Sequence, residues 1–501
     1  MKHKLIRLSS ALLAAFIAAS LFACGSSGDA PSADTTAPDM NAAETAETTA
    51  AETFVPDNLP DRDFGGYNFK IGATTKDPDW IRYIYAEEMN GETVNDAVYK
   101  ANLAVSERFN ISLDWAKIEG DNMNGIATAV KSSVFAGDYI ADVITMHDCT
   151  SATAALQGIF LNVHSLPFID FEQPWWPHHT TDSLTLNNKL YFIANDMSYY
   201  GLYSTRVLFA NLGLMESLGI EKPFDKVRAR LWFLDDLVAM TKDVYEDLDG
   251  DSERTLNDRY GFALTGSCYC FLESFNIETF THSKDGAEYV INIDDRLYDA
   301  VQKSCDWFFG GSQGVYYNKN HAGYFEPDSS LTMFANGNAL FALNSVGRLV
   351  FASQKTEVPY GIVPMPMLDE IQGDYVSGCV DNPICIPLTS AYDNSPEALE
   401  RLGVVIEAMS AEGYRTVQPA YKDIALKIRY ANDKDSSEML DIIYRNRLLS
   451  AAYLYTGFGF QMAHEEMWQK RTTNIDLTSY IEKNTSKIQK QIDKINEFYA
   501  N

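Results

Sequence analysis

Basic residues are scarce. Forty Lys and Arg stand against 69 Asp and Glu in 501 residues, a formal net charge of −29 at pH 7. Nucleic-acid binders present Lys/Arg-rich surfaces, so nucleic acid is excluded as a partner. Docking on anionic lipid through a basic face is excluded for the same reason. Seven cysteines include no Cys-x-x-Cys pair, which removes the common zinc sites. Cys268 and Cys270 are too close in sequence to bridge each other well. With Cys149, Cys305, Cys379 and Cys385 they are expected to be buried as small apolar residues. No nucleophile elbow, no Gly-rich phosphate loop ending in Lys-Ser/Thr and no His-Glu-x-x-His is read; His464-Glu465-Glu466 lacks the second His. The protein is therefore expected not to be an enzyme. Carboxylates are abundant enough for two to meet as a glycosidase pair, which keeps a surface glycoside hydrolase open as the alternative.

Past the first residues, no stretch approaches the ~20 apolar residues of a membrane span. The beginning itself is distinctive. Lys2, Lys4 and Arg7 precede an apolar run from Leu8 to Ala23, the order of a signal peptide. It closes on Leu21-Phe22-Ala23-Cys24 and Gly25-Ser26-Ser27, which resembles a bacterial lipobox, with Phe22 bulkier than usual. The resemblance implies a signal peptide over residues 1–23, a lipid on Cys24, and a protein held at the outer face of the cell membrane. Residues 24–62 are rich in Ala, Thr, Glu, Asp, Ser and Pro. They cannot bury a core and are expected to form a disordered acidic tether.

From Tyr67 the pattern becomes regular. Tyr67, Phe69 and Ile71 alternate as a strand does; Val94, Ala97, Val98, Ala101, Val105 and Phe109 recur at helical spacing. Ile111, Leu113 and Trp115 alternate, a helix is expected from Met123 to Phe135, and Ala141 to Met146 is an apolar strand. Strand, helix, strand, helix, strand is the order of a parallel sheet with crossover helices. Ligands of such sheets bind beyond the carboxyl ends of the strands, which points at the loop with Trp80 and Glu88 and at His147-Asp148. Further strands are expected at Lys189 to Ala194 and Arg206 to Ala210, Tyr360 to Pro366 is expected as a short strand running into a Pro-rich loop, and helices are expected at Leu231 to Tyr245 and Pro396 to Met409. Ile481, Ile488, Ile492, Ile495 and Tyr499 form one stripe of a C-terminal helix.

Four segments, in order, carry a resemblance. They are Asp142 to Asp148, Asn188 to Ile193, Phe334 to Asn344 and Val358 to Pro366. Together they are similar to the bacterial extracellular solute-binding proteins of family 1, the lipoprotein receptors of carbohydrate ABC importers, over roughly residues 62–501. The resemblance implies an α/β fold of two lobes, periplasmic-binding-protein-like (type II), with hinge crossovers and a central ligand cleft. By that analogy the chain crosses near Ile193–Asp196, Asn338–Leu343 and Val380–Pro383. One lobe is then 63–194 plus 339–382 and the other 195–338 plus 383–501. The partners implied are a carbohydrate, an oligosaccharide by preference, and the permease subunits of the importer; a monomer is expected. A ligand sensor or adhesin, or a peptide receptor of the same fold, stays open.

Sugar sites combine flat aromatic faces with carboxylates and amides that bind hydroxyls. Asp148 matches the family's His-Asp as a hydroxyl acceptor, or else caps a helix. Trp175 and Trp176 offer a rigid aromatic pair, or else pack between lobes. Asp196, Tyr199, Tyr200 and Tyr203 follow the first crossover, Asn344 and Arg348 the second, and Asp381 and Asn382 sit at the third. Tyr269 and Phe271 fall where the family has an aromatic platform. A separate run, Asp247, Asp249, Asp251, Glu253, Thr255 and Asp258, puts oxygens at positions 1, 3, 5, 7, 9 and 12, and resembles an EF-hand-type loop for a structural calcium ion. Ser252 replaces the usual Gly there and Asp258 the usual Glu; an acidic surface turn is the other reading.

Overall fold

The computed structural model describes residues 54–263, 270–316, 328–348, 358–389, 395–427, 434–456, 460, 473–474 and 476–501. Contacts separate Met1–Thr53 from Phe54–Asn501, and the fold described is that of the second unit.

The first elements follow the hydrophobic periods. β1 (Tyr67–Thr74), α1 (Thr93–Phe109), β2 (Ile111–Ile118), α2 (Asn124–Ala136), β3 (Val143–Thr145) and α3 (Asp148–Ala155) succeed one another. β1 lies centrally, parallel to β2 (Tyr67 opposite Ile111) and to β3 (Ile71 opposite Val143). The strand Ile384–Cys385 adds antiparallel to the outer side of β3. α1 buries Val94, Ala97, Val98, Ala101, Val105 and Phe109, and stops where Asn110 turns left-handed at φ 49°. Gly72 is required mid-strand, because a Cβ there would come within 2.9 Å of Ile118 and Ile144 side chains.

A second sheet runs in the order Tyr360–Val363, Arg206–Asn211, Ala339–Ser345, Arg259–Ala263, Tyr245–Glu246, and Val315–Tyr316 also pairs with Arg259–Ala263. Each sheet has its own core. Phe69, Ile71, Val143, Ile144, Trp175, Phe192, Val404, Ile406, Ile492 and Tyr499 belong to the first. Val207, Phe209, Trp232, Phe262, Phe341, Ile362, Met439 and Ile443 belong to the second. The C-terminal helix Leu477–Ala500 lays Ile488, Ile492, Ile495 and Tyr499 on the first core.

The sharing of chain between the cores differs from the expected partition. Ala339 to Leu343, Tyr360 and Ile362, assigned to the first lobe by analogy, lie in the second core. The reason is pairing: Ala339–Ser345 runs antiparallel to Arg206–Asn211, with Phe341 opposite Ala210. Conversely Phe280, Tyr289, Leu402 to Ala411, Leu449 to Leu454 and Ile488 to Tyr499 join the first core. Ile193 belongs to the first core and Tyr199 touches both, whereas Tyr375 belongs to the second core and Cys379 to the first, ahead of the crossover expected at Val380–Pro383. The strand expected at Lys189 to Ala194 is reduced to isolated bridges, Lys189 with Leu186 and Ile193 with Ile384. The helix expected over Leu231 to Tyr245 is shorter, Leu234–Thr241.

Residues 54–62, expected in the tether, are fixed on the body. Asp57 is 7% exposed. Its carboxylate accepts from Arg108 at 2.7 and 3.0 Å and from Arg415 at 3.1 Å, and Arg415 also holds the Val55 carbonyl. Both guanidiniums keep the Asp57 carboxyl below its usual range, against the opposing effect of burial.

Candidate functional site at the junction of the two cores

Three turns converge where the cores meet. The first is the 3-10 turn Pro78–Tyr83 beyond β1, the second His147-Asp148 beyond β3, and the third the stretch from Asn195 to Ser204. The half-buried Trp80 ring lies 5.1 Å from that of Tyr200 and 6.4 Å from that of His147. Tyr83 meets Tyr199 and Tyr200 edge-on at 4.9 and 4.8 Å, and Tyr200 stacks on Tyr203 at 5.8 Å. Trp80, Tyr83, Tyr199, Tyr200 and Tyr203 thus form one aromatic wall, and Tyr199 and Tyr203 touch both cores. Gly347 lies so close to the Tyr203 ring that any side chain there would collide with it. Its neighbour Arg348 is half-buried at the end of the turn Val346–Arg348.

Behind the wall lies a floor of buried charge. Arg447 donates to Asp196 at 2.6 Å, and both side chains are nearly sealed from solvent. Burial pushes the Asp196 carboxyl up, and the Arg447 charge pulls it back. Asp381 is pushed up to about 7 by burial, with Asp148 and Asp196 adding their negative charge. A Cβ on Gly201 would sit 2.9 Å from Asp381 Oδ2, so glycine makes room for that carboxylate. Glu273 rises to about 8, first by burial and then by the charge of Glu278, while Arg206 opposes the shift. Glu278 rises to about 7 by burial and accepts from Ser450 at 3.0 Å.

His147 and Asp148 differ sharply in exposure. Asp148 begins α3 and is wholly buried. Its carboxylate turns back to accept the Cys149 N–H at 2.6 Å and the Asp381 N–H at 3.4 Å, and lies 2.8 Å from His147 Nδ1. The imidazole is the partly exposed member, and the contact with Asp148 raises its pKa above the usual value. Of the pair, His147 is therefore the side chain that reaches solvent, and Asp148 the one that turns inward beside it.

No protein-family model matches the chain, and no curated protein matches it significantly. Solved structures do match. The ABC substrate-binding protein Lmo0181 from Listeria monocytogenes, in complex with cycloalternan, superposes with a TM-score of 0.51 at 13% identity, over 85% of this chain and 99% of that one. UspC from M. tuberculosis gives 0.51 at 14% identity over 86% and 100%. The maltose-binding protein MalE from L. monocytogenes, in complex with maltose, gives 0.51 at 13% over 84% and 98%. The chain has the two-lobed fold of the ABC substrate-binding proteins.

In this substrate-binding fold several expected site residues prove to be core. Trp175 and Trp176 are 0% and 1% exposed, and their indole N–H groups donate to the two oxygens of Glu407 at 2.9 and 3.1 Å. Burial raises the Glu407 carboxyl to about 7, although both indoles stabilise its charge. Phe271 packs among Phe262, Trp307 and Phe308 in the second core. Asn344 is 5% exposed within its strand, and its Oδ1 accepts the Ser345 N–H at 2.8 Å. Glu88 stands exposed on the turn before α1. Tyr269 lies outside the described residues. Tyr83, Glu273 and Arg447 were not singled out as ligand or floor residues. A carboxylate isolated in an apolar run, as in Phe271-Leu-Glu-Ser-Phe275 and Val404-Val-Ile-Glu-Ala408, is the signal that marks Glu273 and Glu407.

Three of the five carboxylates of the acidic loop, Asp247, Asp249 and Asp258, gather with ligand oxygens within 4.8 Å of one another. Asp251 and Glu253 stay outside that group. Asp258 is buried and accepts the Leu248 and Thr255 N–H groups at 3.3 and 2.8 Å. The run Gly310-Gly311-Ser312-Gln313-Gly314 does spell a Gly-x-Ser-x-Gly pattern. It leaves the helix Asp295–Phe309 and enters the strand Val315–Tyr316, the reverse of a nucleophile elbow's strand-to-helix order. Ser312 Oγ donates to the Lys242 carbonyl at 3.1 Å.

Proposed function

We propose that the protein is an extracellular receptor that captures a carbohydrate at the junction of its two cores and hands it unchanged to an ABC importer. The aromatic wall carries this reading: Trp80 and Tyr200, 5.1 Å apart, offer flat faces of the kind pyranose C–H surfaces cover, in a substrate-binding fold. His147 supplies a polar group beside Trp80, and Arg348 follows Gly347, which abuts the Tyr203 ring. The complexes of similar fold with cycloalternan and maltose make an oligosaccharide the preferred ligand class. Closure between the cores would then be a hinge motion around the bound sugar. Melting curves of residues 25–501 against glucose, galactose, xylose, maltotriose, cellotriose and galacturonate test the proposal. A ligand at 100 times its dissociation constant stabilises by about 2.7 kcal/mol, a shift of several degrees for one member of the panel. A flat response across the panel, or recovery of cleaved sugar, would overturn it.

The lipobox-like series ending at Cys24 supports attachment of the receptor at the outer membrane face through a lipid on that residue. Cys24→Ala is expected to release the protein into the medium or leave it unprocessed. A mutant that is processed normally and remains in the membrane fraction would count against the anchor.

A further inference from the structure

Two side-chain amides beside the His147-Asp148 turn are left unpaired among the described residues. Asn122 and Asn382 are 4% and 1% exposed. Nδ2 and Oδ1 of both are without a hydrogen-bond partner among the described residues. Buried amides are nearly always paired, and four orphaned atoms on two residues call for a group that the protein itself does not supply.

The backbone fixes where they stand. The Asn122 carbonyl accepts the His147 N–H at 3.3 Å, and the Asn382 carbonyl accepts the Thr145 hydroxyl at 3.1 Å. Thr145 is the last residue of β3, and His147 follows two positions on. Both asparagines therefore flank the carboxyl end of β3, the position where α/β sheets take ligands. The Asn382 N–H donates to Asp381 Oδ1 at 2.7 Å, which ties that turn to the buried charge.

We propose that Asn122 and Asn382 are ligand contacts that hydrogen-bond neighbouring hydroxyls of the sugar next to the His147 and Trp80 rings. A primary amide presents an acceptor and a donor on one edge, and two vicinal ring hydroxyls present the matching pair. The sugar unit held here consequently carries at least one free vicinal diol. The amides are closed to solvent in this conformation, so ligand entry accompanies opening between the cores. This inference rests on the carbohydrate reading above.

The test is calorimetric titration of wild-type, Asn122→Ala and Asn382→Ala proteins, each spanning residues 25–501, with the same six sugars, together with melting curves of the free proteins. Each substitution is expected to raise the dissociation constant at least tenfold and to leave the melting temperature of the free protein unchanged or higher. Affinity within twofold of wild type, with a lower melting temperature, would overturn the assignment and make the amides parts of the fold. Where an alanine variant does not fold, Asn122→Ser or Asn382→Ser takes its place and is judged by the same two readouts. A wild-type protein that binds none of the six sugars fails the carbohydrate reading itself; wild-type binding with unaffected variants fails the amide assignment alone.

Discussion

Arg447→Ala is expected to destabilise the protein by about 3–5 kcal/mol, the cost of leaving a buried charge without its partner. Arg447 and Asp196 are 5% and 2% exposed in their side chains and meet at 2.6 Å. The same guanidinium opposes the upward shift of the Asp381 carboxyl, which comes first from burial and then from the charges of Asp148 and Asp196. Its removal would leave a cluster of carboxylates between the two cores facing chiefly one another. The Arg447 backbone carbonyl also accepts the Thr180 hydroxyl at 3.1 Å, which ties its strand to the helix His178–Leu184. Urea unfolding checks the magnitude, and a loss under about 1 kcal/mol, the size of an exposed pair, would contradict the placement. The double variant Asp196→Leu with Arg447→Met is expected to regain much of the loss, because apolar residues of similar volume replace such pairs at little cost.

The melting temperature is expected to rise as the pH falls from 8 to about 5.5. Glu273 sits at about 8 in the folded protein, and Glu278, Asp381 and Glu407 at about 7, each above its ordinary carboxylate value because of burial. Between roughly pH 4.5 and 8 the folded protein therefore holds protons that the unfolded chain has released. Stability is greatest at the acid end of that window and is lost as the pH rises through the folded pKa values. His147, raised by Asp148, adds stability of the same sign, present below about 6.5 and lost above its folded pKa. His164 and His179 work the other way: burial lowers both, and their contribution is lost as the pH falls. Four carboxylates and one histidine outweigh two histidines, and the net gain is on the order of a few kcal/mol. Melting curves from pH 5 to 8 decide it; a melting temperature that drops on acidification across this range would show that the carboxylates are ionised and solvated in the folded state.

The half of the fold written in local periodicity was legible. β1, α1, β2, α2 and β3 follow the alternating and 3.6-residue patterns of Tyr67 to Met146, and the stripe from Ile481 to Tyr499 marks the last helix. The division between cores was not legible, because it is set by strand pairing over long separations. Ala339–Ser345 joins the second core through Arg206–Asn211, and no pattern within either strand states that partner. The site divides the same way. Trp80, Tyr199, Tyr200 and Tyr203 converge because each follows a strand end or crossover. Trp175 and Trp176 looked equally suited to a ligand, yet they answer to Glu407, more than 230 residues onward. At His147-Asp148 the pair was recognisable and the assignment was not, since only the start of α3 decides which side chain turns inward.

Calorimetric titration of wild-type and Trp80→Ala proteins with the sugar that raises the melting temperature tests the receptor reading most directly. Saturable binding at one site per chain, weakened at least tenfold by Trp80→Ala with the sugar recovered intact, is the predicted result. Absence of binding by every sugar of the panel, or equal affinity in the two proteins, would contradict capture at the wall formed by Trp80, Tyr83 and Tyr200.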